Sequence, residues 1–395
     1  MKIHVIVKTH EVALKGNNRP WFMRRLTGNL RKATQGTGVK SVWQGHMLVG
    51  LTLEEEGHWP SVAARVKDCF GVAKFFKAYE VTTDLNKVKD VLTSLLEGRD
   101  FNSFRITANR ADKRFPIRSD EINRDLGTYV KDLTGARVDL THPDLEIFVD
   151  VQPTGILLYF EELPGYGGLP VGVSGETMAM LSGGIDSPVA SWQMMKRGCR
   201  VSFAHFHSYP LVDMSSIEKA VELAQHLTRH QYRSRLFLIP FGDIQKRIIV
   251  STDPAYRVIL YRRFMVRITE QLAHMHGAKA IVTGESCGQV SSQTLDNMAV
   301  IDQVSSMPIL RPLVGFNKEE IVKVARNIGT FPISILPDQD CCSLFVPRHP
   351  ETRANLETVC RLESSLPIDD LVQAALAKTE KKEFEFDGSA STYPQ

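Results

Sequence analysis

Residues 181–190 read LSGGIDSPVA, and this stretch decides how the second half of the chain is read. It ends the apolar run TMAMLS and leads into SPVASWQMMKRG, whose apolar positions recur at helical spacing. Two adjacent glycines between serines and an aspartate, where a strand turns into a helix, leave backbone N–H groups exposed at a helix N-terminus. Such a turn is an anion site, and phosphate is its first candidate ligand. No lysine follows the glycines and the spacing is not GxGxxG, which excludes a Walker A loop and a dinucleotide fingerprint.

Outward from the loop, strand-like and helix-like runs alternate: RVSFAHFHS then SIEKAVELAQHLTRH, SRLFLIPF then a helix through ILYRRFMVRITEQLAHMHG, then AKAIVTGES. The pattern predicts an α/β fold with a doubly wound parallel sheet, whose ligands bind beyond the carboxyl ends of the strands. Before it, IHVIVKT, HMLVGLTL, SFRITANR, LEIFVDVQ and GILLYFEEL read as strands among helix-like segments, which predicts two small α+β units. The Gly- and Pro-rich PGYGGLPVGVSGE marks the crossing into the last part, and the polar tail KKEFEFDGSASTYPQ is expected to fray.

Composition narrows the class. The 395 residues are 43% hydrophobic and 24% charged, ordinary for a chain of two or three domains. No apolar run is long enough for a bilayer span and no leader opens the chain, so a cytoplasmic protein without membrane attachment is expected. Six cysteines, none in CxxC spacing, argue against a disulfide scaffold and a zinc ribbon. Cys69, Cys199 and Cys360 read as small buried hydrophobes. His205 and His207 alternate on one strand, but two ligands without a third make no metal centre, and no metal ligand is assigned. The net charge of +3 identifies no partner, whereas basic residues gather in the first half: Lys15, Arg19, Arg24 and Arg25, then Arg105, Arg110, Lys113, Arg114 and Arg118. Solvated helix faces are an equal reading of each run.

Ser182-Gly183-Gly184-Ile185-Asp186-Ser187 resembles the PP-loop of the ATP pyrophosphatases, the adenine nucleotide alpha hydrolase-like fold. With LKGNNRPWFMRRL, RADKRFPIRSDEI, GYGGLPVGVSGE, GESCGQVSSQTLDNM, RPLVGFNKEEIVKVARNIGT and DCCSLFVPRHP in order, the chain resembles the ThiI family of tRNA 4-thiouridine synthetases over almost its whole length. The resemblance implies a ferredoxin-like domain over 1–56, a THUMP RNA-binding domain over 57–163 and a PP-loop catalytic domain over 164–395. It implies that ATP adenylates O4 of uridine 8 in tRNA and that a cysteine persulfide, loaded by a cysteine desulfurase, replaces the oxygen with sulfur. Its nucleotide contacts fall on Met180, Leu181, Ser182, Gly183, Gly184, Asp186, Ser187, His205, Phe206, Arg262, Gly284 and Gln293. Asp186 is assigned to Mg²⁺ or to orienting the polyphosphate, since a carboxylate beside phosphates repels them unless a cation intervenes.

The sulfur-bearing thiol implied by the resemblance is Cys342, with Arg348 nearby in sequence to favour thiolate. Long members of the family carry a second thiol on a rhodanese domain, and a short form without it is expected here, with Cys287, Cys341 or a small thiol resolving the persulfide. A link to thiamine synthesis is a further family expectation; a homodimer stands as an open alternative to a single chain. Two other classes stand beside this reading. One is another PP-loop adenylating enzyme, such as an amidotransferase or lysidine-type tRNA ligase, which needs no reactive cysteine. The other is an RNA-binding module with a silent nucleotide site.

Overall fold

A computed structural model describes residues 1–45, 47–338 and 349–388. Cys341, Cys342 and Arg348 lie outside the described residues. The chain divides into two compact units, Met1–Gly168 and Leu169–Gln395, and the division falls inside the Gly- and Pro-rich stretch.

The first unit runs β1 (Lys2–Lys8), α1 (Arg19–Ala33), β2 (Val39–Gln44), β3 (Leu48–Leu53), α2 (Trp59–Lys67), β4 (Lys74–Val81), α3 (Leu85–Leu96), β5 (Ser103–Arg110), α4 (Ser119–Thr134), β6 (Arg137–Val138), β7 (Leu145–Gln152), β8 (Gly155–Tyr159) and β9 (Leu163–Pro164). One sheet joins them in the order β2-β3-β1-β4-β8-β7-β5-β6, with β9 on β4. Two cores form on it. Met23, Leu26 and Leu30 of α1 and Val62 and Val66 of α2 close over Val5, Val49, Leu51 and Phe75. Val88 and Leu92 of α3 and Ile122, Leu126 and Val130 of α4 close over Ile106, Ile147, Val149 and Leu158. Each helix buries the stripe that its 3.6-residue period predicts. Strand β4 pairs β1 on one side and β8 on the other, so it belongs to both halves. The boundary expected at residue 56 falls ahead of α2 and β4, whose Val62, Val66 and Phe75 complete the first core.

The second unit runs β10 (Glu176–Met180), α5 (Asp186–Lys196), β11 (Arg200–His207), α6 (Ser215–Thr228), β12 (Arg233–Pro240), α7 (Gly242–Ser251), α8 (Arg257–Met275), β13 (Ile281–Val282), α9 (Leu295–Asp302), β14 (Ile309–Leu310), α10 (Lys318–Asn327), α11 (Phe331–Ser334), α12 (Leu356–Glu363), α13 (Ile368–Ala377) and β15 (Glu380–Glu385). Its sheet has the order β14-β13-β10-β11-β12-β15 and is parallel except for β15. The chain travels outward from β10 to β12 and then returns to lay β13 on the other side of β10. That reversal opens a crevice at the carboxyl ends of β10 and β13, the place where doubly wound sheets bind ligands.

Two expectations are corrected. The start of the tail does not fray: Glu380–Glu385 pairs antiparallel with β12, because an edge strand offers unpaired backbone groups and Arg233 meets Glu383 at 2.8 Å. Cys360 is exposed rather than buried, since α12 turns Val359 and Glu363 inward and leaves position 360 outside.

Glu363 closes a buried ionic cluster behind the sheet. Its carboxylate accepts from Arg263 at 2.8 and 2.7 Å and from Arg267 at 2.7 and 2.9 Å, while Arg263 also donates to the Val300 carbonyl. Burial pushes the Glu363 carboxyl up, but the two guanidiniums outweigh it and hold the group below its usual value. Arg263 is 1% exposed and Glu363 4%. Removing the anion strands both guanidiniums, so Glu363→Gln is expected to cost about 3–5 kcal/mol, the range for breaking a buried pair from one side. Chemical denaturation of the variant and the parent chain checks it; an unchanged midpoint is the contrary result.

Candidate functional site

At the mouth of the crevice, β10 ends on Met180 and the chain turns through Leu181–Ile185 into α5. Ser187 laces this turn. Its Oγ accepts from Ser182 N at 2.9 Å and donates to Ser182 O at 3.2 Å, while Gly184 N donates to Ser182 Oγ at 3.3 Å. No side chain caps α5, so its first N–H groups keep the anion-binding character of an open helix start.

The glycines have different tasks. A Cβ on Gly284 would lie 2.7 Å from Ser187 N and 2.8 Å from the Asp186 carbonyl carbon, both backbone atoms. Only a residue without a side chain lets the segment after β13 touch the start of α5. A Cβ on Gly183 would meet side chains instead, 2.5 Å from Asp338 Oδ2 and 2.9 Å from Lys219 Cδ, and one on Gly184 would meet only Ser182 Oγ at 3.4 Å.

An open cleft with a volume of about 130 Å³ lies here. Of the residues expected from sequence, Met180, Leu181, Ser182, Asp186, Ser187, His205, Phe206, Arg262, Gly284 and Gln293 line it, whereas Gly183 and Gly184 do not. Met265, Thr283 and Glu285 complete the lining. Arg262 and Met265 are three apart on α8 and share a face, while Arg263, one step on, turns into the buried cluster around Glu363.

Charge in the cleft is paired. Asp186 accepts from Lys318 Nζ at 2.7 Å and from Gln289 Nε2 at 2.8 Å. Glu285, buried, accepts from Thr283 Oγ1 at 2.9 Å and Arg311 Nε at 2.7 Å, with Arg262 Nη1 at 4.0 Å. Gln293 is buried, and its Oε1 has no hydrogen-bond partner among the described residues. His205 donates from Nδ1 to the Leu181 carbonyl at 2.9 Å, which fixes the turn from its strand side. Burial, with His205 beside it, pushes His207 down to about 4, so it is neutral near pH 7. Among the described residues no group of three or more His, Cys, Asp or Glu could hold a metal.

Glu285, Arg311 and Lys318 were missed by sequence reasoning. Lys318 carried a signal: it stands at the first position of α10, behind the Asn317 cap, where the helix dipole disfavours a cation. A lysine there needs an anion, and Asp186 is that anion. Cys287 is exposed on the turn after β13, its N–H on the Val314 carbonyl at 3.0 Å. In the first unit, Arg105 is held by Glu146 and the Leu140 carbonyl, Arg110 by the Phe115 and Ile117 carbonyls and Arg114 by Asp112. Lys113, Arg118 and Arg24 are exposed.

Gly284→Ala must push two backbones apart. A cost of about 1–3 kcal/mol is expected from the overpacking. If the displaced turn holds a triphosphate, affinity for ATP should fall about tenfold or more, equal to about 1.4 kcal/mol. Calorimetric titration and a thermal melt read the two effects; wild-type affinity would mean that the contact does not shape the site.

Known proteins match this arrangement. The family model "ThiI ferredoxin-like domain" matches residues 4–75, "THUMP domain" residues 82–161, and "Thiamine biosynthesis protein (ThiI)" residues 172–368. A probable tRNA sulfurtransferase of Thermus thermophilus is 49% identical over 94% of this chain and 91% of its own length, and one of Moorella thermoacetica is 40% identical over 96% and 97%. A crystal structure of a 4-thiouridine synthetase–RNA complex with bound ATP is 34% identical, with a TM-score of 0.90 over 98% of this chain and 100% of that one. PH1313 from Pyrococcus horikoshii, 24% identical with a TM-score of 0.63 over 83% of this chain and 100% of that chain, shares the fold. With three family models in order and relatives of this identity matching nearly end to end, the chain belongs to the ThiI family, that of the probable tRNA sulfurtransferases.

Proposed function

We propose that the protein is an ATP-dependent tRNA sulfurtransferase that makes 4-thiouridine at position 8 of tRNA. The observation that carries the reading is the open turn at 182–187 at the switch point of the sheet, beside a cleft lined by ten of the twelve residues that the family resemblance assigns to the nucleotide. The related 4-thiouridine synthetase, which was crystallised with RNA and ATP, supports it. The ferredoxin-like and THUMP parts hold the tRNA, with exposed Lys113, Arg118 and Arg24 available to phosphates.

The turn and the N-terminus of α5 cradle the phosphates, and Arg262 meets them from α8. Gln293 Oε1, buried and unpartnered, suits the exocyclic amine of adenine. Asp186 and Lys318 form a pair that can hold the triphosphate in line for displacement at the α-phosphorus. The donor set fits Mg²⁺ only as an ion carried mainly on phosphate and water, with Asp186 as its carboxylate, since Glu285 is engaged by Thr283 and Arg311. When bound, that ion would neutralise charge on the leaving pyrophosphate.

In the first step, uridine O4 bonds to the α-phosphorus and pyrophosphate leaves. In the second, the terminal sulfur of a persulfide on Cys342, supplied by a cysteine desulfurase in the cytoplasm, bonds to C4, and AMP departs with O4. A thiol then attacks the inner sulfur: the S–S bond to the base breaks, a disulfide forms on Cys342, and the thiocarbonyl is released. Cys287, Cys341 or a small thiol supplies that attack, and a reductant restores the enzyme.

The reading is tested by mass spectrometry of nucleosides from tRNA incubated with the protein, ATP, cysteine and a desulfurase. Accumulation of 4-thiouridine is expected, with Cys342→Ser abolishing it while tRNA-dependent ATP–pyrophosphate exchange persists. Full thiolation by Cys342→Ser would overturn the persulfide assignment, and absence of exchange would favour a silent RNA-binding module. Gln293→Ala is expected to weaken ATP by about five- to tenfold, the worth of one hydrogen bond, and to narrow its preference over GTP. An unaltered ATP/GTP ratio would remove Gln293 from base recognition.

A further inference from the structure

An ion pair outside the cleft presses on the same turn. Lys219, on α6, is 5% exposed and puts Nζ 3.0 Å from Asp338 Oδ1, whose side chain is 18% exposed. Both side chains stand where a Cβ on Gly183 would have to go, so the pair rests directly against the loop backbone. Neither residue lines the cleft. A few residues earlier, Ser334 at the end of α11 donates from Oγ to the Gly184 carbonyl at 3.4 Å. The stretch from Ser334 to Asp338 is therefore fastened to Gly183 and Gly184 at two points.

Stability alone does not account for Lys219. Taking an ammonium out of water costs several kcal/mol, and a well-packed hydrophobe in place of a buried pair is commonly as stable or more so. What such a pair supplies is a fixed position, here that of Asp338 relative to the turn. Four peptide units separate Asp338 from Cys342, a span of at most about 14 Å for an extended chain.

We infer that Lys219 is a positioning residue for sulfur transfer: through Asp338 it ties to the nucleotide-binding turn the described end of the segment that leads, four residues on, to Cys342. The inference rests on Cys342 as the sulfur-bearing thiol. Losing the tie lowers the effective concentration of the thiol at the base without touching the groups that make the adenylate.

The two half-reactions separate this role from a general structural one. In Lys219→Met, tRNA-dependent ATP–pyrophosphate exchange is expected within about twofold of the parent, while single-turnover 4-thiouridine formation from persulfide-loaded enzyme slows about tenfold or more. The charge-swapped Lys219→Asp/Asp338→Lys chain should recover part of the transfer rate at unchanged exchange. If Lys219→Met melts low, Lys219→Met/Asp338→Leu removes the tie without stranding a charge, and the same split is expected. Equal loss of both activities, or loss of neither, would overturn the role of Lys219. Cys342→Ser run in parallel tells the failures apart: wild-type transfer there would sink the reading of Cys342, whereas its inactivity beside normal transfer by Lys219→Met would sink the positioning role alone.

Discussion

The close approach of Gly284 to the backbone at Asp186 and Ser187 is the contact on which the rest of the site depends. Parallel neighbours β10 and β13 end side by side, and their following segments must diverge for a crevice to open, yet stay near enough to share one ligand. A side chain at 284 would separate them. With hydrogen there, the start of α5, the turn after β13 and the end of β11 enclose one cleft.

Around that contact the protein arranges charge by pairing rather than by accumulation. Asp186 has Lys318, Glu285 has Arg311, Lys219 has Asp338 and Glu363 has Arg263 and Arg267. The carboxylates of the first two pairs line the cleft, each held by its own cation. The last lies behind the sheet and fixes α8, the helix that presents Arg262 to the cleft. The lining of the cleft and the buried ionic cluster thus meet on one helix, in two consecutive arginines.

Much of this was legible in the sequence. Alternation of apolar strands with amphipathic helices is a local property, and so is the glycine-rich turn at 182–187; both survive folding because neighbours in the chain remain neighbours in space. The turn was read from that local pattern, whereas Met180, His205, Phe206 and Gly284 came from the family resemblance, and all four line the cleft. Lys318 was not found, because its place at the start of a helix calls for an anion without saying which, and Asp186 stands 132 positions away. The strand at Glu380–Glu385 was missed because its polar composition is what an exposed sheet edge tolerates, and only the vacant side of β12 gives it a place. Cys360 was misread because helical phase, set by the packing of Val359 and Glu363, decides which way a cysteine faces.

By itself the sequence determined the fold class, the phosphate-type turn and the family, since period, turn chemistry and ordered motifs are written along one dimension. Only the tertiary structure decided which of Arg262 and Arg263 faces the cleft, which cation neutralises Asp186, and that Lys219 and Asp338 close on Gly183. The reason is physical: consecutive helix residues differ by about 100° in direction, and ion pairs between distant segments exist only after the sheet has brought those segments together.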